Sequence, residues 1–165
     1  MQGHVPRTGA MIHQVRDCVA TDYAHYSETA HVYDATRRPV GVEVLLGYFA
    51  AAPRPLHVQT ILDGGCGTGN YVAAMQSQIG TIHALDVNRE RLRQAQHKLP
   101  QAASVHVLQG SLECLPYRDA TFDGMMCNQV VHHLRTGAGA ASFLGVRHLC
   151  SEAYRVLRPK GVLVL

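Results

Sequence analysis

Residues 61–70 read Ile-Leu-Asp-Gly-Gly-Cys-Gly-Thr-Gly-Asn, and glycine fills four of the six positions after Asp63. The apolar run at 58–62 predicts a strand that ends at Asp63, and the composition of 71–78 predicts a helix. Glycine permits the positive φ angles of a sharp turn, and its missing Cβ lets a ligand contact the backbone. A helix start offers free N–H groups and a positive dipole end to a polar ligand. This stretch therefore predicts the first βα unit of an α/β fold, with a ligand at the turn.

The spacing of the glycines argues against two common classes of nucleotide-binding protein. A hydride-transfer dinucleotide fold expects G-x-G-x-x-G, but the sixth place holds Asn70 when counted from Gly65 and Val72 when counted from Gly67. The phosphate-binding pattern G-x-x-x-x-G-K-[ST] is absent as well. An NAD-dependent oxidoreductase is thus disfavoured but stays an alternative, as does a glycine-rich turn without a ligand. The acid before the glycines, Asp63, suits a ligand that carries a cation or hydrogen-bond donors.

Further strand and helix patterns alternate along the rest of the chain. Strands are predicted at 81–86, 104–109 and 121–128, and a fifth begins at 162–165. Helices are predicted at 40–51, 89–98 and 142–157 and in parts of 11–32, with Gly80 as the cap of the helix at 71–78 and a turn at 158–161. This alternation is typical of a parallel sheet covered by helices.

Asp86 stands at the carboxyl tip of the second predicted strand, about twenty residues past the glycines. An acid at this place is expected to accept hydrogen bonds from both hydroxyls of a ribose. The alternative is that Asp86 caps the helix that follows, but Asn88 suits that position better because its side chain can accept from the first free N–H groups. We therefore predict ribose binding for Asp86.

The motif D-G-G-C-G-T-G resembles the nucleotide-binding motif of class I S-adenosylmethionine-dependent methyltransferases, in particular the methyltransferase type 11 group. The segment R-V-L-R-P-K-G at 155–161 resembles the helix, turn and strand that follow in the same family. The resemblance implies a Rossmann-like three-layer α/β/α sandwich with a parallel sheet in the order 3-2-1-4-5. The complete family fold adds strands 6 and 7, and this sequence stops inside the fifth strand.

The resemblance also implies the residues that hold S-adenosyl-L-methionine. They are Tyr33, Arg37, Asp63, Gly64, Gly65, Gly67, Gly69, Asp86, Val87, Ser111, Leu112 and Asn128. Tyr33 and Arg37 belong to a Y-D-x-x-R-x-P pattern that forms a lid in similar enzymes, where arginine can bind a carboxylate in bidentate fashion. The alternative is that Tyr33 packs on the next helix and Arg37 is solvated. Ser111 replaces the family's acid beside the adenine, which weakens that contact by about 1 kcal/mol.

The resemblance divides the chain into an N-terminal helical lid segment, residues 1–57, and an incomplete S-adenosylmethionine-binding core, residues 58–165. The fifth strand would form an open apolar edge, which is a site of aggregation unless it is covered. A missing C-terminal segment or a partner is therefore expected there. A non-catalytic S-adenosylmethionine-binding fragment stays an alternative to an active enzyme.

The function implied by the resemblance is methyl transfer to a small-molecule acceptor. The sequence identifies no catalytic residue. The adjacent His132 and His133 are candidates for a general base, and a structural role is the alternative for both. Metal binding by this pair is not predicted, because adjacent side chains are expected to point apart and no acid or cysteine lies at ligand spacing.

Composition sets the remaining bounds. The chain has 165 residues, which predicts one domain, and its net charge of +3 is too small and too scattered to indicate nucleic-acid binding. No apolar run is long enough to cross a bilayer, and no secretory signal opens the chain. The five cysteines include no C-x-x-C pair, so a reduced, cytoplasmic protein is predicted.

Overall fold

The computed structural model describes residues 38–99, 104–134 and 143–165. The strands are β1 (Thr60–Gly64), β2 (Thr81–Asp86), β3 (Val105–Gln109), β4 (Phe122–Met126) and β5 (Leu157–Val164). The helices are α1 (Val42–Ala50), α2 (Asn70–Met75), α3 (Arg89–Lys98) and α4 (Leu144–Val156). The strands form one sheet in the order β3-β2-β1-β4-β5, and all neighbouring pairs are parallel. The predicted strand order is confirmed.

Apolar side chains cover both faces of the sheet, because successive strand residues point to opposite sides. In β1, Ile61 belongs to the core on one face and Leu62 to the core on the other, and both are fully buried. The first core packs against α1, α2 and α3, and the second packs against α4 and the loop after β3. Buried members of the first core from the helices include Phe49, Val72 and Ala95, and those of the second include Leu149 and Ala153. Two helical layers around one sheet confirm the predicted three-layer sandwich.

The first βα unit differs from the prediction at its ends. β1 begins at Thr60, because the residues before it, Leu56–Val58, form a 3-10 turn. α2 ends at Met75, so Gly80 is not its cap. A Cβ at Gly80 would lie 2.7 Å from the carbonyl oxygen of His57, so glycine is needed there for close backbone contact.

The turn predicted at 158–161 is wrong, because β5 runs through these residues. Pro159 has no N–H for the ladder, and proline is accommodated in strands at edges and irregularities. The pairing of β5 with β4 shifts register between Phe122 and Gly124, and Lys160 adopts a positive φ of 65°. The residues that pair with β4 pass from Leu157 to Val162, so residues 158–161 bulge out of the ladder within one continuous strand. In the described part of the chain, β5 has β4 as its neighbour and lies at the edge of the sheet.

The buried carboxylate of Asp123 fixes the amino end of the sheet. Its Oδ2 accepts hydrogen bonds from the backbone N–H of Thr60 at 2.8 Å and from Nη1 of Arg54 and of Arg158, each at 2.9 Å. A buried carboxylate needs such partners, because ionised groups are costly to bury alone. Asp123 thereby joins the linker after α1 to the beginnings of β1 and β5.

The guanidinium of Arg155 on α4 holds the loop after β3 against this helix. Its Nη1 donates to the carbonyl oxygen of Tyr117 at 2.7 Å, and its Nη2 donates to that of Leu115 at 3.0 Å. The same Nη2 donates to Glu152 Oε2 at 2.7 Å, and that oxygen accepts from the N–H of Leu115 at 2.8 Å. One charged pair thus satisfies three backbone groups of the loop.

We expect Arg155→Met to lower the free energy of unfolding by about 2 kcal/mol, because several partly buried acceptors lose their charged donor. Arg147→Met is the matched control, since Arg147 lies exposed on the same helix and should change stability by less than about 0.5 kcal/mol. Urea unfolding followed by circular dichroism measures both values. Equal losses in the two variants would contradict the assigned role of Arg155.

Candidate functional site

A cavity of about 300 Å³ opens at the carboxyl ends of the strands, beside the point where the strand order reverses. Ligands of open α/β sheets bind in such crevices. The residues that line it are Arg38, Val40, Gly65, Cys66, Gly67, Thr68, Asn70, Tyr71, Leu85, Asp86, Val87, Asn88, Arg91, Gly110, Leu112, Asn128, Gln129, Val130, His133 and Leu134.

The glycines of the turn after β1 serve different purposes. Gly67 lines the cavity with φ of 55°, and a Cβ there would meet nothing within 4 Å, so a ligand can approach its backbone from the open side. Gly65 has φ of 77°, and a Cβ on it would lie 2.6 Å from Cγ2 of Val130. Gly69 precedes α2 with φ of 79° and packs against α3. The turn is therefore shaped by packing at Gly65 and Gly69 and is open to a ligand at Gly67.

The Asp86 carboxylate forms one wall of the cavity and is buried. Its Oδ2 accepts from the N–H of Gly67 and its Oδ1 from the N–H of Asn88, each at 2.8 Å. Two carboxylate oxygens provide about four acceptor positions, so capacity for two further donors is left. The Asn88 side chain caps α3 by accepting from the N–H groups of Glu90 and Arg91, as predicted. Asp86 is therefore not needed as the helix cap.

Asp63 lies beneath the glycine turn and is only 2% exposed. Its Oδ2 has no hydrogen-bond partner among the described residues. Burial and, to a lesser extent, the neighbouring charge of Asp86 together raise the pKa of Asp63 to about 7. The same burial and the two carboxylates raise the pKa of the Cys66 thiol, so Cys66 is not a thiolate nucleophile. A buried carboxyl oxygen that accepts no hydrogen bond from the described residues, such as Oδ2 of Asp63, fits a site that receives a positive charge.

The predicted binding residues fall into three groups. Those that line the cavity are Gly65, Gly67, Asp86, Val87, Leu112 and Asn128, and those that do not are Asp63, Gly64, Gly69 and Ser111. Tyr33 and Arg37 lie outside the described residues, as do the helices predicted within 11–32. A Cβ on Gly64 would lie 2.5 Å from Leu112 Cδ2, so Gly64 makes room for a residue of the cavity wall. Ser111 Oγ accepts from the N–H of Glu113 at 3.2 Å, and its contact with adenine stays a prediction.

The rim on the α1 side of the cavity, which Arg38, Val40 and Tyr71 line, was not predicted from the sequence. The hydroxyl of Tyr71 donates to the carbonyl oxygen of Val40 at 3.1 Å and accepts from its N–H at 3.3 Å. This residue pair attaches the segment before α1 to the first turn of α2. The sequence carried no signal for it, because the two residues lie 31 positions apart in different elements.

We expect Tyr71→Phe to weaken binding of S-adenosylhomocysteine about fivefold, because loss of two hydrogen bonds of about 1 kcal/mol or less loosens one wall of the cavity. Tyr154→Phe is the matched control, since Tyr154 is 88% exposed on α4 and does not line the cavity. Isothermal titration calorimetry measures both affinities. A Tyr71→Phe affinity equal to that of the control would contradict this role of the rim.

The loop after β4 brings a histidine to the cavity. Gln129 adopts a positive φ of 56°, an uncommon conformation for a side chain of this kind, and a 3-10 turn follows at Val131–His133. The rings of His132 and His133 lie 3.8 Å apart, so the expectation that they point apart is wrong. His133 lines the cavity, whereas His132 does not line it and is exposed. Among the described residues, no three histidines, cysteines or acids are grouped to hold a metal ion.

No helix in the described ranges is both long and apolar enough to cross a membrane. The four described cysteines are free, including the buried Cys127, whose thiol pKa is raised by burial.

Comparisons with known proteins relate this fold and cavity to one family. The family model described as "Methyltransferase domain" matches residues 62–165. A malonyl-[acyl-carrier protein] O-methyltransferase of Serratia marcescens is 33% identical over 142 residues, covering 84% of this chain and 49% of that protein. The biotin biosynthesis bifunctional protein BioHC of Teredinibacter turnerae is 34% identical over 113 residues, covering 62% of this chain and 18% of that protein.

The crystal structure of the YcgJ protein of Bacillus subtilis matches with a TM-score of 0.59 and 25% identity, over 75% of this chain and 49% of that one. This chain therefore spans about half or less of the length of these relatives. The family model covers more than half of this chain, including the glycine turn, Asp86 and the loop after β4. The chain belongs to the methyltransferase domain family of class I S-adenosylmethionine-dependent methyltransferases.

Proposed function

We propose that this chain binds S-adenosyl-L-methionine in the cavity at the carboxyl ends of the strands and transfers its methyl group to a small-molecule acceptor. The observation that carries the proposal is the pairing of an open glycine backbone at Gly67 with the carboxylate of Asp86, which keeps acceptor capacity on the same wall. Family membership supports the general reaction, and the acceptor and the activity of this chain are part of the proposal.

The residues of the cavity suit the different parts of this cofactor. Asp86 would accept from the ribose hydroxyls, and the apolar side chains of Val87 and Leu112 would flank the adenine. The Gly67 backbone leaves room for the amino-acid end, and the unpartnered Asp63 oxygen beneath the turn favours a positive charge nearby. S-adenosyl-L-methionine supplies, when bound, an electrophilic methyl group on a sulfonium sulfur.

The chain contributes mainly position and orientation to such a reaction. Holding two reactants in a productive geometry can supply several kcal/mol of the barrier. Asn128 and Gln129 follow β4 and line the cavity on the side away from the β2–β3 edge, where an acceptor would enter. Arg38 and Tyr71 line the cavity on the α1 side, where Tyr71 is hydrogen-bonded to Val40. These residues are the ones we propose to select the acceptor.

The relatives suggest one acceptor to include in a test. The Serratia marcescens relative is named as an O-methyltransferase of malonyl-[acyl-carrier protein], so a carboxylate carried on a thioester is one candidate class. Nucleic acid is not among the proposed acceptors, because the net charge of +3 is small. We also propose that a further segment or a partner covers β5, which lies at the sheet edge in the described structure.

Two measurements test the proposal. Thermal unfolding in the presence of S-adenosylhomocysteine or NADH should show stabilisation by the former alone. Incubation with S-adenosylmethionine labelled in its methyl group should transfer label to one member of a panel of alcohols, phenols, amines and carboxylates. Stabilisation by NADH alone would favour an oxidoreductase. Stabilisation by S-adenosylhomocysteine without any transfer would favour the non-catalytic binding fragment.

A further inference from the structure

The loop after β4 places two neighbouring histidines in different surroundings. The chain bends at Gln129 and enters the 3-10 turn Val131–His133, in which the N–H of His133 donates to the carbonyl oxygen of Val130 at 2.9 Å. This turn places His133 in the cavity wall and leaves His132 exposed to solvent. Both histidines are equal candidates in the sequence, and only His133 lines the cavity.

The surroundings of His133 keep its imidazole neutral. Burial lowers the pKa of His133 from the ordinary value of 6.5, and the positive charges of His132 and Arg91 lower it further. The negative charge of Asp86 on β2 raises the pKa of His133 and so opposes this effect. The other ionisable groups in the cavity wall are Arg38 and Tyr71 on the rim and Cys66 in the glycine turn. A neutral imidazole at neutral pH can accept a proton.

We propose that His133 is a catalytic base that removes the proton of the acceptor's nucleophilic atom, and that the acceptor is an alcohol, a phenol or an amine that is protonated at neutral pH. This inference rests on the proposed function, and it narrows the acceptor class. A carboxylate is already ionised near neutral pH and needs no base. The malonyl-type acceptor of the Serratia marcescens relative would therefore not use His133 in this way.

The bonds, electrons and protons of this step balance as follows. An ammonium acceptor first gives its proton to His133, because its nitrogen has no free lone pair, whereas an alcohol or phenol can lose its proton as the bond forms. The acceptor's lone pair then forms a bond to the methyl carbon while the carbon–sulfur bond breaks and its electron pair stays on sulfur. The proton on the acceptor's oxygen or nitrogen passes to an unprotonated nitrogen of His133, which becomes imidazolium and returns the proton to water after product release. Neither an oxidant nor a reductant is needed.

The test compares His133→Gln with His132→Gln in the full chain. Glutamine keeps polarity and approximate size but cannot act as a base near neutral pH. The matched control changes the neighbouring exposed histidine, whose ring lies 3.8 Å from that of His133. The first readout is the affinity for S-adenosylhomocysteine, and the second is the pH dependence of kcat with the acceptor found in the panel. The third is the His133 pKa by NMR in the S-adenosylhomocysteine complex.

We expect His133→Gln to bind S-adenosylhomocysteine within about twofold of the unaltered protein and to lose about 100-fold in kcat, the usual contribution of a general base. The unaltered protein should lose rate as the pH falls through the His133 pKa, because the imidazolium cannot accept a proton, and His133→Gln should lack this limb. His132→Gln should keep the plateau rate. Its acid limb should move to higher pH, because removal of a neighbouring positive charge raises the His133 pKa.

Several results would overturn the inference. A tenfold loss of S-adenosylhomocysteine affinity in His133→Gln would make His133 a binding residue. Retention of kcat and of the acid limb in this variant would exclude a base, as would an NMR pKa above 7.5 for His133 in the complex. Transfer to carboxylates alone would contradict the acceptor class, whereas binding of S-adenosylhomocysteine without transfer to any class would reject the methyl transfer of the proposed function. Failure of the unaltered protein to bind S-adenosylhomocysteine would instead reject the proposed function itself.

Discussion

Replacement of Asp86 by alanine should lower the affinity for S-adenosylhomocysteine about 100-fold. Two hydrogen bonds from ribose hydroxyls to a carboxylate contribute about 1.5 kcal/mol or more each, because one partner is charged. The variant also loses the acceptor for the N–H groups of Gly67 and Asn88, both bonded at 2.8 Å. Part of the loss would therefore come from the glycine turn, and the experiment has to separate the two contributions.

A ligand without the sugar hydroxyls makes this separation. The 2′,3′-dideoxy analogue of S-adenosylhomocysteine should bind the unaltered protein weakly. Asp86→Ala should lower the affinity for this analogue further, but only by the part that comes from support of the glycine turn. Glu90→Ala is the matched control, because this substitution also removes one negative charge, but at an exposed position at the start of α3 that does not line the cavity. Equal losses for the two ligands in Asp86→Ala would show that the carboxylate supports the turn without contacting the sugar.

Asp63→Asn should remove the contribution of this carboxyl to the pH dependence of the free energy of unfolding in the ligand-free protein. Folding raises the pKa of Asp63 from 3.8 to about 7, mainly by burial, so the folded state binds a proton that the unfolded state releases. The contribution of Asp63 to stability therefore falls as the pH rises from about 4 to about 7 and is constant above that. At about 1.4 kcal/mol per pKa unit, this contribution amounts to at most about 4 kcal/mol.

A second group, the half-buried imidazole of His83, acts in the opposite direction. Folding lowers the pKa of His83 from 6.5 to about 4, by burial and then by the neighbouring His106. Its contribution is lost as the pH falls from 6.5 towards 4, because the unfolded state then binds the extra proton. The two effects partly cancel in the unaltered protein, so its stability should change little over this interval.

The difference between Asp63→Asn and the unaltered protein isolates the carboxyl. We expect the variant to gain stability relative to the unaltered protein as the pH rises from 4 to 7, with a constant difference above about pH 7.5. Urea unfolding at each pH measures the difference, and Asp119→Asn serves as the control because Asp119 is 79% exposed. A difference that does not vary with pH would mean that Asp63 is ionised throughout and that its burial is relieved in solution.

The sequence was sufficient for the parts of the site that lie at the carboxyl ends of neighbouring parallel strands. The glycine turn and Asp86 follow strand tips, and parallel strands bring their carboxyl ends to one edge, so the meeting of Gly67 and Asp86 was predictable. The wall residues Val87 and Leu112 were implied by the family resemblance and do line the cavity. Local signals and sheet topology agree at these places.

Features that depend on distant contacts were not predictable in this way. The hydrogen bonds between Tyr71 and Val40 join elements 31 residues apart, and neither residue shows a motif. The choice between His132 and His133 depends on a single 3-10 turn, whose periodicity is too short to detect. The continuity of β5 through Pro159 was missed because residues 158–161 carry a local turn signal and bulge between Leu157 and Val162, the residues that pair with β4 on either side.

A crystal structure of the chain with S-adenosylhomocysteine tests the central claim most directly. We expect the ligand to lie in the cavity against the Gly67 backbone, with both ribose hydroxyls about 3 Å from the carboxylate oxygens of Asp86. A ligand bound elsewhere, or a cavity without ligand at saturating concentration, would contradict it.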